Sequence, residues 1–198
     1  MKITASLSSA ALCAAILLAS GCSKKDDSKM NYESAINDYY KAHPSCLWPQ
    51  AKKFPVQETT SDEAKTEGYD ALTDAGLLTR TTGEKKVLIV ASKRVNNYDV
   101  SEKGRSVWTQ DSTQPGYGNF CYGHRDVTSI DNVTTGADPS GNKAATVSYH
   151  YKISDAAAWA NSDEMKTAFP GLAANLSGPQ AGTAQLVLIG NHWQVEKP

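Results

Sequence analysis

Four histidines, His43, His124, His150 and His192, are the first residues to weigh for proton transfer or metal binding. They share neither an H-x-x-x-H nor an H-E-x-x-H spacing, so no local pattern sets two imidazoles on one helix face for zinc. The chain gives no reason to expect a metal or any other cofactor. The best local pair lies in His124-Arg125-Asp126, because positions i and i+2 of a strand share a face and the carboxylate could orient the imidazole for base catalysis. No G-x-S-x-G nucleophile accompanies that pair. The plainer reading is a hydrogen-bonded surface pair. A hydrolase would require His124 and Asp126 to converge with a third polar group in a concave pocket. A third set consists of cations: from Arg80 to Arg105 there are seven basic residues against three acidic ones, with Lys85, Lys86, Lys93 and Arg94 at the centre. Such a balance suits an anionic partner. Tyr117, Tyr122, Tyr149 and Tyr151 could line a binding face, though alternating tyrosines are ordinary strand chemistry.

What these residues can meet depends on where the chain is delivered. Met1-Lys2 supplies one positive charge, Ile3 to Ala19 carries no acidic or basic residue, and small residues then precede a cysteine. A charged start, a short apolar run and small residues describe a secretory signal, removed on maturation. Leu18-Ala19-Ser20-Gly21-Cys22 resembles the lipobox of bacterial lipoproteins, in which the cysteine thiol is acylated before cleavage and becomes the mature N-terminus. The resemblance covers residues 1–22 and implies a lipidated Cys22. The next residue is Ser23 and not Asp, which under the family's enterobacterial sorting rule implies the outer membrane. Two or three acyl chains, each buried CH₂ contributing about 0.8 kcal/mol, would make that anchoring effectively permanent. Residues 22–29 then form a short solvated tether, since Ser23 to Lys29 contains no apolar side chain.

Removing residues 1–21 of 198 leaves 177, enough for one domain or two small lobes. Lys2 departs with the signal, leaving 19 basic against 21 acidic groups, a balance that gives no global argument for nucleic acid. Of the four cysteines, Cys13 leaves with the signal and Cys22 would carry lipid, so Cys46 and Cys121 remain. In an oxidising periplasm an even pair is most simply a disulfide. Two buried free thiols or a redox-active cysteine are the alternatives, and the lack of a C-x-x-C spacing favours the bridge. Closing a loop of about 76 residues would contribute about 4 kcal/mol.

The elements follow from the patterning. Met30 to Ala42 carries Tyr32, Ala35, Ile36 and Tyr39 at helical spacing, and Pro44 ends the helix. Residues 43–56 are too rich in proline for a helix and read as a strap pinned by Cys46, with Trp48 as a core anchor. Thr60 followed by Glu63 is a capping box that opens a second helix reaching Ala75, and Gly76 supplies the left-handed residue that ends it. Val87 to Ala91 reads as a buried strand, Asn96-Asn97 as a turn and Tyr98 to Val100 as a short strand.

Leu72-x-x-Ala75-Gly76-Leu77-Leu78-x-Arg80, then Tyr98-x-Val100-Ser101-x-Lys103-Gly104-Arg105, is similar to the end of a winged-helix domain. There a recognition helix is followed by a wing and a closing strand with a Y-x-L-T-x-x-G-R rhythm. The resemblance spans about 35 residues, and the proline-rich strap stands where a further helix should lie. It implies DNA binding, which an exported, lipid-anchored chain cannot perform. Leu77, Val87, Ile89 and Val100 are expected to supply the hairpin's buried face, with its basic side chains outward.

Residues 110–119 form a Gly/Pro/Ser loop, and their Gly116-x-Gly118 lacks the following helix of a phosphate-binding fingerprint. From Phe120 the chain turns to strands: Cys121 to Val133, then Val147, Tyr149, Tyr151 and Ile153 alternating with polar residues, and a closing hairpin over 186–195. Ser154 caps an intervening helix through Trp159, and a short helical stretch ends at Phe169-Pro170. The expected fold class is α+β: N-terminal helices with a winged-helix-like hairpin over 30–109, then an antiparallel sheet with a helical insertion over 119–198. The expected function is that of an outer-membrane lipoprotein facing the periplasm, a non-catalytic binding, inhibitory or assembly module. Its partners would be the membrane, through the anchor, and another envelope protein or lipid headgroups, but not nucleic acid. The alternative is a periplasmic hydrolase using His124 and Asp126.

Overall fold

A computed structural model describes residues 27–88 and 91–198. The lipobox with Cys22, the tether up to residue 26, and Ile89 all lie outside these described residues. Helix α1 (Lys29–Ala42) begins at Ser28, whose side chain accepts from the Asn31 backbone N–H, and buries Tyr32, Ile36 and Tyr40 at a spacing of four. The strap resolves into three short strands, β1 (Ser45–Cys46), β2 (Lys52–Lys53) and β3 (Val56–Thr59), with a cis Phe54–Pro55 bond between the last two. Helix α2 (Glu63–Asp74) leads through Gly76, at φ 75°, into the hairpin β4 (Leu78–Leu88) and β5 (Ala91–Val100). A turn of helix, α3 (Glu102–Arg105), and β6 (Trp108–Gln110) precede the long β7 (Tyr117–Ala137). Then come β8 (Lys143–Ser154), a 3-10 turn at Ala158–Asn161, α4 (Asp163–Ala168), α5 (Pro170–Leu176), β9 (Gln180–Ile189) and β10 (His192–Lys197).

The strands form two antiparallel sheets. The larger runs β1-β7-β8-β9-β10, with β2 and β6 also paired to β7; the smaller runs β3-β5-β4. Register slips in β7 between Val127 and Ser129 and between Ile130 and Asn132 add residues on one strand, and such bulges bend a sheet. The larger sheet accordingly curls into a half-barrel. Against it α1 buries Tyr32, Ile36 and Tyr40 on Val127, Ile130, Val147, Tyr149, Tyr151, Leu186 and Trp193. A second core joins Leu72, Leu77, Leu78 and Tyr98 to Phe120, Tyr122, Met165 and Leu172. Each fully buried side chain of this size contributes about 1.5–3 kcal/mol. The long β7 serves both cores, its Phe120 and Tyr122 in one and its Val127 and Ile130 in the other.

The α+β expectation with N-terminal helices is overturned. The fold is mostly antiparallel sheet with few helices, and four of the six helical segments among the described residues have seven residues or fewer. Helix α1 packs on the large sheet instead of joining a helical lobe, because its Tyr32-Ile36-Tyr40 stripe needs the wide apolar face that only β7–β10 provide. In place of the helix that a winged-helix domain requires, the strap supplies β3, paired to β5 from Val56↔Tyr98 to Thr59↔Val95. The local expectations fared unevenly. Asn96-Asn97 is mid-strand and not a turn: Asn96 is buried, accepts from Thr82 Oγ1 at 2.9 Å and donates to the Tyr98 hydroxyl at 3.1 Å. The α2 N-cap is Asp62, and Thr60 donates its hydroxyl to the Arg94 carbonyl instead. Val87 is half exposed, because β4 has by then run past the core that takes Leu77 and Leu78. The 3-10 turn begins after Ala157, Ser162 caps α4, and α5 starts at Pro170, where sequence patterning ended the helical stretch.

Candidate functional surface

Strand pairing places Cys46 opposite Cys121 in the β1–β7 ladder with Cα atoms 3.8 Å apart, and the disulfide is formed. The reach limit of about 7 Å for such a bond is met. The bridge ties the strap to the strand that carries both cores. Trp48, next to it, packs against Phe54, Tyr69, Phe120 and Phe169 with ring centroids 6.1–6.3 Å apart, which makes it the centre of an aromatic cluster.

The histidine pair does not assemble. Asp126 accepts from the Ser154 hydroxyl at 3.3 Å, while His124 Nδ1 lies 3.7 Å from Asp155, a residue at φ 53° in the turn after β8. Both side chains stand on β7, yet each looks to a different partner. His150 pairs with Asp131 at 2.8 Å across the β7–β8 ladder, a contact that no local spacing foretold because the partners come from different strands. His43 stacks on Tyr39 at the end of α1. Among the described residues no group of three His, Cys, Asp or Glu is placed to hold a metal ion. Nor is any described helix long and apolar enough to cross a membrane.

The tyrosines serve packing. Arg125 is held between the Tyr40 and Tyr151 rings at 4.8 and 4.6 Å and donates to the Tyr40 hydroxyl, which also accepts from Tyr149. Stacked this way, the guanidinium keeps its charge at partial burial through ring faces and hydroxyls.

The cations of 80–105 divide into two kinds. Arg80 donates to Asp70 at 2.7 Å, and Asp70 also accepts from the Tyr98 hydroxyl at 2.8 Å, so this network clamps α2 onto the small sheet. Burial, together with the hydrogen bond to Asp70, pushes the Tyr98 phenol up to about 12. Lys103 donates to the Ala75 carbonyl and closes the C-terminus of α2. Lys85, Lys86, Lys93 and Arg94 are different: all are exposed and none forms an ion pair among the described residues, although Glu84, which accepts from the Ser92 hydroxyl, is paired opposite Arg94 in the ladder. Arg94 marks the strap's last contact, its carbonyl accepting from the Thr60 N–H and hydroxyl; beyond it, with Lys85, Lys86 and Lys93, the β4–β5 hairpin continues alone as a two-stranded ribbon. From Arg94 to Ala91 the ribbon extends three residues, about 10 Å. Lys85 and Lys93 are directly opposed on one face, and Lys86 and Arg94 belong to the other.

Elsewhere, an open cleft of about 830 Å³ between α2 and α4 carries Glu63, Glu67, Asp70, Asp74, Asp163 and Glu164. It concentrates negative charge, with Asp70 already engaged by Arg80 and Tyr98. No family model, no curated protein and no solved structure matches this chain.

Proposed function

We propose that the protein is a non-catalytic binding module of the bacterial cell envelope, acylated at Cys22, held at the outer membrane facing the periplasm, and engaging an anionic partner through its ribbon. The observation that supports this reading is the set of exposed cations on the ribbon, of which Lys85, Lys86 and Lys93 face no carboxylate across the ladder among the described residues. Opposing Lys85 to Lys93 across the ladder disfavours the isolated protein, and a bound anion between them would relieve that repulsion. The lipobox resemblance supports the address. The hydrolase alternative lacks comparable support, since His124 and Asp126 turn to separate partners.

The test is capture of the native protein from palmitate-labelled membranes. Wild type should carry label, whereas Cys22→Ala should lose it and accumulate as uncleaved precursor. Reversal of Lys85, Lys86, Lys93 and Arg94 to Glu should weaken partner capture in a salt-sensitive way with the fold intact. Label surviving in Cys22→Ala would remove the anchor. Capture indifferent to the reversal would leave the ribbon a solvated face and overturn it as the binding surface.

A further inference from the structure

We infer that the partner of the ribbon is an anionic lipid surface: the four cations take headgroup phosphates, and Val87 enters the boundary between headgroups and acyl chains. The inference rests on reading the ribbon as the binding surface and goes on to name what it binds. Three observations favour lipid over a folded acidic protein.

The cations stand on both faces of the ribbon, Lys85 and Lys93 opposed on one and Lys86 on the other, with Arg94 at its root facing Glu84 across the ladder. A flat protein surface meets one face of a ribbon and leaves the other in water. A headgroup layer surrounds whatever enters it, so cations on both faces find phosphates at once.

Next to these cations stands Val87, 50% exposed. Large exposed apolar residues are few: among the described residues the others are Met30 and Ile189. An apolar side chain among cations at the end of a projecting element is the composition of interfacial anchors, in which apolar burial and attraction to anionic lipid act together.

The register slips between Lys86 and Leu88, so Val87 occupies an extra position on β4 and breaks the regular ladder there. Regular ladder hydrogen bonding therefore gives way at Val87, whose backbone groups must stay within reach of water or headgroups and not enter hydrocarbon. Insertion is accordingly shallow, at the level of the phosphates.

The experiment uses the mature anchored protein reconstituted into vesicles, with an environment-sensitive fluorophore on Ala91→Cys, an exposed position that leaves Val87 in place. In vesicles containing phosphatidylglycerol the emission should shift to the blue and be quenched by lipids brominated near the headgroups. In pure phosphatidylcholine it should do neither. Raising salt to about 0.5 M should reverse the shift in the otherwise unaltered protein, a readout that requires no charge variant. Each of Lys85→Gln, Lys86→Gln, Lys93→Gln and Arg94→Gln should lower the ratio of inserted to free ribbon about fivefold. Val87→Ser should reduce quenching while keeping the salt dependence. Identical emission in the two kinds of vesicle would overturn the lipid assignment and leave an acidic protein as the ribbon's partner. The anchor is judged separately: loss of the protein from phosphatidylcholine vesicles removes the acylated-Cys22 reading, whereas the response to phosphatidylglycerol still decides the ribbon.

Discussion

At the scale of single residues, the chain places its polar groups where one neighbour can satisfy them. Asn96 would be costly in the interior of the small sheet without Thr82 on one side and the Tyr98 hydroxyl on the other. Tyr98 in turn spends its proton on Asp70, and burial plus that bond raises its phenol from an ordinary value near 10 to about 12. The neutral phenol is therefore favoured in the folded protein. The stability it contributes is complete below pH 10 and is lost as pH rises through 12, a span that corresponds to about 2–3 kcal/mol. Tyr98→Phe should make the urea midpoint fall less steeply between those pH values. Tyr32, raised to about 12 by burial and by the Asp27 carboxylate, should keep part of the slope in that variant.

At the scale of elements, close backbone approaches decide which positions tolerate a side chain. Gly104 in α3 is buried, and a Cβ there would stand 2.0 Å from the Leu77 carbonyl oxygen, at the junction where Ser101 N–H also bonds Leu77. Because the obstacle is backbone, neither partner can rotate away. Gly104→Ala should cost at least about 2 kcal/mol by chemical denaturation. Gly171 in α5 offers the contrast: a Cβ there would meet nothing within 4 Å, and its φ is not positive. Gly171→Ala should be neutral or stabilising by up to about 1 kcal/mol, because the helix loses less backbone entropy on folding. The glycine of the closing rhythm thus has a packing reason in this fold, independent of any nucleic acid.

For the whole molecule, β7 is the member that both cores share, and the disulfide fastens the strap to it. The crosslink joins residues 75 apart in sequence, so its loss should enlarge the unfolded ensemble substantially. Cys46→Ser should lower stability by about 4 kcal/mol, seen as a reduced melting temperature, with Cys121 left as an alkylatable thiol. Two freely alkylatable thiols in the folded wild type would contradict the bridge.

Local chemistry was legible from the chain. Pro44 ends α1 because a proline stops a helix within a few residues of where it stands. The alternation Val147-Tyr149-Tyr151 marks β8 because side-chain period is a property of the strand itself. Composition and cysteine count also led to Cys46–Cys121. The exposed cations could be named from charge alone. Long-range placement was not legible. Which face α1 would cover, that the strap would add β3 to the small sheet, that His124 and Asp126 would part while His150 and Asp131 would meet, and that Lys85, Lys86 and Lys93 would stand on a free ribbon all depend on strand register. Register is set by contacts between residues tens of positions apart, and a single-residue slip exchanges the buried and exposed faces of a strand. Spacing along the chain does not contain that information. The folded sheets do.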